Sequence, residues 1–247
     1  MKFVSVIISL VFIFTAQAVD EKVINHLRDC SVTIKTSDGF GSGIIITRKI
    51  GDETVNFIWT AAHVVASEKD GKNFKDVYII QQHFVNNKYV GKSEIRASVI
   101  KYDDKIELAL LRLHKSIFTC NTSFLMSDQA PKVGTDICHV GSFLGEMGAG
   151  SFTTGVISFV DRYVESIDKT CDQVNVGAMP GCSGGGIFLN DGRCIGLVLA
   201  GKSTSLNWIM PSRCMVSWTN NKKIQWAVDD KIKMPTELEL TKIPIEN

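Results

Sequence analysis

Three short segments of the chain hold residues that can do covalent chemistry. Pro180-Gly181-Cys182-Ser183-Gly184-Gly185-Gly186 sets a hydroxyl among glycines. A nucleophilic serine needs backbone N–H groups around the oxyanion that develops when it attacks a carbonyl. Glycines permit the tight turn and the close approach this requires. Taken alone, the run also fits a glycine-rich hairpin with an idle serine. Trp59-Thr60-Ala61-Ala62-His63-Val64-Val65 carries an imidazole just past a strand-like stretch, where two alanines let a turn pack closely. A buried histidine satisfied by backbone groups is the plainer reading of that segment, but the serine motif downstream favours a base facing a cleft. Ile106-Glu107-Leu108-Ala109-Leu110-Leu111-Arg112-Leu113 puts an acid before an apolar strand, with Asp103 and Asp104 just ahead. A carboxylate here could hold a histidine tautomer and stabilise imidazolium; alone, it reads as an acid on an exposed strand face.

The elements that must position these groups are strands. Short β-branched runs punctuated by glycine and polar turns recur at Ser31–Thr36, Ser42–Thr47, Thr54–Thr60, Val77–Gln82, Glu94–Tyr102 and Ile106–Leu113. They resume at Asp136–Val140, Thr153–Val160, Asp172–Val176, Cys194–Ala200 and Leu206–Met210. Many short strands between turn signals predict sandwiches or closed barrels. The polar stretch Asn121–Pro131 reads as a link between two β units. Helix is expected only at the ends, over Glu21–Arg28 and within Ser212–Asp230, and the tail Met234–Asn247, with Pro235 and Pro244, reads as loosely held.

Lys2, the apolar run Phe3–Phe14 and Thr15-Ala16-Gln17-Ala18 have the form of a signal peptide cleaved after Ala18. The run is too short to span a bilayer, so an exported protein, secreted or periplasmic, with no membrane span after leader removal is expected. All seven cysteines (Cys30, Cys120, Cys138, Cys171, Cys182, Cys194, Cys214) follow the leader, and an oxidising compartment predicts that some pair. None sit at C-x-x-C spacing, which gives a structural zinc site little support. Asn121-Thr122-Ser123 is a glycosylation sequon. Of 247 residues, 45% are hydrophobic and 21% charged, which excludes a disordered chain. A net charge of +1 leaves no electrostatic footprint for nucleic acid.

Together the three segments resemble the chymotrypsin-like serine proteases, whose chain order is also His, acid, Ser. The closer resemblance is to the high-temperature-requirement branch. Gly41-Ser42-Gly43-Ile44-Ile45-Ile46, Gly141-Ser142-Phe143-Leu144-Gly145, Thr154-Gly155-Val156-Ile157-Ser158, Gly192-Arg193-Cys194-Ile195-Gly196-Leu197 and Ile209-Met210-Pro211-Ser212 extend it over roughly Cys30 to Cys214. The resemblance implies an all-β fold of two six-stranded antiparallel barrels with short terminal helices and the site between them. It divides the chain into the leader at 1–18, a first barrel at 19–120 carrying His63 and Glu107, a second at 121–215 carrying Ser183, and a helix and tail at 216–247. It further implies Ser183 as nucleophile, His63 as general base, Glu107 as acid and the N–H groups of Gly181 and Ser183 as oxyanion hole. Leu199-Ala200-Gly201 would pair with a polypeptide substrate, and no metal or cofactor is needed.

Four departures carry expectations of their own. Cys182 replaces the acid or amide usual before the serine, so activation by a new N-terminus is not expected; it also raises a thiol nucleophile, against which the G-x-Ser-G-G register argues. Glu107 stands where the family has Asp, with Asp104 as the substitute if a bulge precedes Ile106. Gly177, Ala178 and Met179 put no carboxylate on the pocket floor, which predicts small or apolar rather than basic residues at the cleaved position, because a buried cation would be unpaired. About thirty-five residues follow Pro211-Ser212, too few for a PDZ-type regulatory module. The functions implied are an endopeptidase or, second, a non-catalytic relative that binds proteins in the same cleft.

Overall fold

A computed structural model describes residues 18–67, 74 and 76–242. The expected leader, Ala18 apart, lies outside the described residues. Twelve strands form two closed antiparallel barrels. The first takes β1 (Ser31–Lys35), β2 (Phe40–Ile50), β3 (Glu53–Thr60), β4 (Asp76–Val85), β5 (Lys88–Asp103) and β6 (Leu108–Leu113), in spatial order β1-β2-β3-β6-β5-β4. The second takes β7 (Asp136–Phe143), β8 (Gly148–Val164), β9 (Lys169–Val174), β10 (Gly186–Leu189), β11 (Cys194–Ser203) and β12 (Leu206–Pro211), in order β10-β11-β12-β9-β8-β7. Closure removes the unpaired edges that open sheets must otherwise protect.

Two strands explain why the barrels dock. Successive side chains of a strand point to opposite faces, yet Ile44, Ile45 and Ile46 are all fully buried. Ile45 faces the first barrel's interior with Val32, Ile34, Ile58 and Leu111. Ile44 and Ile46 face a second core with Phe57, Trp59, Leu108, Leu110 and, from the other barrel, Phe188 and Leu197. In β6, Leu108 and Leu110 serve the shared core while Ala109 and Leu111 serve the barrel interior. Unbroken apolar runs therefore mark strands covered on both sides, and these two begin near Ser183 and His63, with Ser42 at the start of β2 and Glu107 just before β6.

The sequence reading found eleven of the twelve strands. β10 escapes it because four residues following a glycine run carry almost no alternating pattern. β4 and β5 also extend beyond Val77–Gln82 and Glu94–Tyr102, turning at Asn86 and Asn87, both left-handed with φ of 50° and 62°. Paired left-handed residues match the twist of a two-residue hairpin turn. Helix α1 (Glu21–Asp29) starts at Asp20, whose side chain accepts from Lys22 N at 2.7 Å. Helix α2 (Ser212–Lys222) and the turn after it cover the shared core. There Trp59 Nε1 donates to the Ala227 carbonyl at 2.8 Å, and the Phe57 and Trp226 rings lie 4.8 Å apart. As far as Lys242 the tail is held more firmly than its composition suggests, and its last five residues lie outside the described residues. Thr236 and Glu239 form a capping box around α3 (Glu237–Leu240), and Arg112 grips Glu237 through both oxygens.

The expected disulfides are not formed; all seven cysteines are free. Cys138, Cys182 and Cys194 sit singly, and burial pushes the thiols of Cys138 and Cys194 up to about 12. Cys30 and Cys120 do approach one another, and their contact together with burial raises the Cys30 thiol far above its ordinary value.

Candidate active site

His63 sits in a short 3₁₀ turn, Ala62–Val65, at the end of β3. Glu107 precedes β6 across the barrel wall, and β3 and β6 are paired neighbours, with Thr60 opposite Ala109. The Glu107 backbone is left-handed, with φ of 61°. That conformation costs a non-glycine residue about 1 kcal/mol or more, and here it accompanies a carboxylate turned onto the histidine. Glu107 Oε2 accepts from His63 Nδ1 at 2.8 Å and from the His63 backbone N–H at 3.3 Å. Burial works to raise the Glu107 pKa, but the His63 hydrogen bonds and charge, aided by Lys169, outweigh it and hold the carboxyl below its ordinary value. Neither neighbouring acid reaches the imidazole. Asp103 accepts from Ile106 N and from Trp218 Nε1, facing α2, and the Asp104 carbonyl is taken by Lys169 Nζ at 3.3 Å.

Ser183 comes from the second barrel, in the loop between β9 and β10. Its Oγ donates to the Leu199 carbonyl at 3.3 Å, and among the described residues no hydrogen bond joins it to His63. Leu199 is the extra residue of a bulge, since Val198 pairs with Ile209 and Ala200 with Trp208. A bulge leaves its residue out of the ladder, and the Leu199 carbonyl is turned to the serine instead.

The loop before Ser183 is fixed mostly through its backbone. The Pro180 carbonyl accepts from Leu144 N at 2.8 Å. Carbonyl and N–H point oppositely across a trans peptide, so the Gly181 N–H faces away from Leu144. Neither it nor the Ser183 N–H has an acceptor among the described residues. Gly181 adopts φ +95°, and a Cβ there would stand 2.3 Å from the Ser142 carbonyl oxygen. At Gly184, φ +82°, a Cβ would meet Thr60 Oγ1 at 2.2 Å. The glycines are thus demanded by the turn and by the first barrel's close approach. Cys182 is buried, with its sulfur accepting from Met179 N at 3.5 Å and its thiol raised to about 11 by burial.

Three residues that sequence reasoning missed brace this arrangement. Ser42, on β2, donates its N–H to the Ser183 carbonyl at 2.8 Å and its hydroxyl to the Gly181 carbonyl at 2.7 Å, and accepts from Ser142 N. Lys169 Nζ, from the second barrel, donates to the carbonyls of Asp104 and Lys105 in the turn that carries Glu107. His139 is fully buried behind the glycines, where a Cβ on Gly185 would lie 2.7 Å from its Cε1. Burial holds its pKa down to about 4, against a bond from Nδ1 to the Gly186 carbonyl.

Beside Ser183 lies a cavity of about 410 Å³ whose lining includes Ala178, Met179, Ala200 and Gly201. Of the expected substrate-contacting residues, Gly177 and Leu199 are not in its wall: a Gly177 Cβ would face Thr153, and Leu199 is buried. Lys202, Ser203, Thr204 and Asn207 line it instead.

Residues 41–197 match the model of the trypsin-like peptidase domain. The Do-like serine protease HtrA of Lactococcus lactis is 26% identical over 211 residues, covering 79% of this chain and 46% of its own length. An HtrA-like serine protease of Staphylococcus epidermidis is 28% identical, covering 66% and 27% respectively. The chain therefore spans less than half the length of these curated relatives. Among solved structures, a serine endoprotease from Yersinia pestis aligns with a TM-score of 0.60 at 16% identity, covering 84% of this chain and 67% of that one. The inactive form of protein Rv3671c from Mycobacterium tuberculosis aligns at 0.59 and 18%, covering 82% and 91%. The match over most of the two barrels, with HtrA-type proteins as relatives and chymotrypsin-like folds as structural neighbours, means that this chain belongs to the trypsin-like peptidase family.

Proposed function

We propose that the chain is an exported serine endopeptidase working through Ser183, His63 and Glu107. The observation that carries this reading is the 2.8 Å bond between His63 Nδ1 and Glu107 Oε2, which leaves the imidazole's other nitrogen for a hydroxyl. The Ser183 hydroxyl rotates from the Leu199 carbonyl toward His63 Nε2, which takes its proton as Oγ attacks the scissile carbonyl. Charge on the carbonyl oxygen falls to the unengaged N–H groups of Gly181 and Ser183. Imidazolium, stabilised by Glu107, then protonates the leaving amine, and water releases the acyl group by the same route. The first barrel supplies base and acid, and the second supplies nucleophile and oxyanion donors. A cavity without a carboxylate disfavours Arg and Lys at the cleaved residue.

A fluorophosphonate probe should label wild-type Ser183, and Ser183→Ala should abolish both labelling and peptide hydrolysis while leaving the fold intact. Full activity in Ser183→Ala with loss in Cys182→Ala would make this a thiol enzyme. The second reading, a peptide-binding relative without catalysis, is favoured by the Ser183–Leu199 bond alone, and absence of labelling would select it.

A further inference from the structure

We infer that the cavity beside Ser183 selects an acidic side chain at the cleaved residue, with Lys202 as the specificity-determining group. The inference rests on the peptidase reading above and replaces the expectation of small or apolar residues. Lys202 follows Gly201 at the end of β11, and it lines the cavity together with Ser203, Thr204 and Asn207. Among the described residues Lys202 has no ion-pair partner. No Asp or Glu lines the cavity. Asn207 is buried and donates through Nδ2 to the Val176 carbonyl at 2.8 Å, which fixes the amide in the wall and leaves its second hydrogen. The Thr204 carbonyl accepts from Ala178 N at 3.3 Å, tying the turn that follows Lys202 to the opposite wall.

The lining thus sets an ammonium, two hydroxyls and an amide against an apolar wall of Ala178, Met179, Pro180, Val198 and Ala200. An apolar side chain can pack on that wall but displaces water from the donors without replacing their hydrogen bonds, which is unfavourable. The methylenes of an acidic side chain use the same wall, and its carboxylate meets the donors. A cationic side chain would meet like charge. A carboxylate gains a charge-assisted bond with the ammonium and accepts from the neutral donors. The cavity is open to solvent, so salt must weaken the pairing.

The test uses four peptides differing only at the cleaved residue (Glu, Gln, Leu or Arg), with the leaderless wild type and with Lys202→Met and Lys202→Glu. Fluorophosphonate labelling of Ser183 is scored in parallel. Wild type should favour Glu over Gln by about tenfold in kcat/KM at low salt, with the ratio shrinking at 0.5 M salt. Lys202→Met should bring the ratio near one, and Lys202→Glu should invert it and raise cleavage after Arg. Labelled enzyme that prefers Leu to Glu, or whose Glu-to-Gln ratio is unmoved by Lys202→Met, overturns the acidic specificity and leaves the peptidase reading standing. An unlabelled protein that cleaves none of the four overturns both.

Discussion

The two halves of the site are built by different means. On the first barrel, His63 and Glu107 meet side chain to side chain, partly exposed, with a left-handed Glu107 turning its carboxylate onto the imidazole. On the second, the Ser183 loop is shaped by backbone contacts and packed against the buried His139. Each half is steadied from the opposite barrel: Ser42 of the first holds the Ser183 loop, and Lys169 of the second holds the turn before Glu107. The side-chain half should therefore fail through chemistry, and the backbone half through packing and stability.

The largest expected effect lies in the side-chain half. Glu107→Gln keeps the shape but removes the charge that fixes the His63 tautomer. In the well-studied triads of this family that loss costs about 10⁴ in turnover. Steady-state kinetics on Glu107→Gln should show a fall of that order, with Asp104→Asn changing little. The reverse pattern would move the role to Asp104, and near-normal rates in both would leave a Ser–His dyad.

The packing half should show itself in acid. His139 titrates near 4 in the fold against an ordinary value of 6.5, so the unfolded chain binds the proton first as pH falls. The stability tied to neutral His139 is complete above about pH 6.5 and is lost progressively down to about pH 4. The total is about 3 kcal/mol, at 1.36 kcal/mol per unit. Urea unfolding from pH 7 to pH 4 should show His139→Gln losing about that much less than wild type, whatever its stability at neutral pH. Parallel curves for the two proteins would mean that His139 is not a titrating part of the packing.

What the sequence made legible follows from local pattern. The β-branched runs gave the strands, and the acid placed before an apolar strand gave the segment that meets His63. What stayed hidden depends on long-range register. β10 is too short to show a period, and the positive φ that turns the Glu107 carboxylate onto His63 has no sequence signal. The cavity wall includes Lys202 and Asn207 but not Gly177, because the bulge at Leu199 and the return of β12 decide which residues face it. Cysteine counting predicted bridges, yet all seven thiols are free, and Cys138, Cys182 and Cys194 are buried singly. Ser42, Lys169 and His139 are unremarkable in sequence, since each acts only where the barrels meet or where a glycine makes room.

The reciprocal braces give the smallest effects and the sharpest comparison. Ser42→Ala removes the donor to the Gly181 carbonyl and the acceptor for Ser142 N, both at a buried seam. An unpaired buried group costs about 1–3 kcal/mol, and relaxation of the loop would shift the Gly181 N–H that faces the oxyanion. The expected result is a drop in kcat of about tenfold with KM little changed, because the donor matters most in the transition state. Lys169→Met releases two carbonyls of the acid's turn and removes a positive charge near Glu107. Its partners are exposed, so the loss should be only about threefold. Without Lys169, the Glu107 pKa rises toward its ordinary value, so the deficit should widen as pH falls and shrink as salt is added. A Ser42→Ala deficit carried by KM, or a Lys169→Met deficit flat in pH and salt, would show that the barrels hold the two halves in place without these braces.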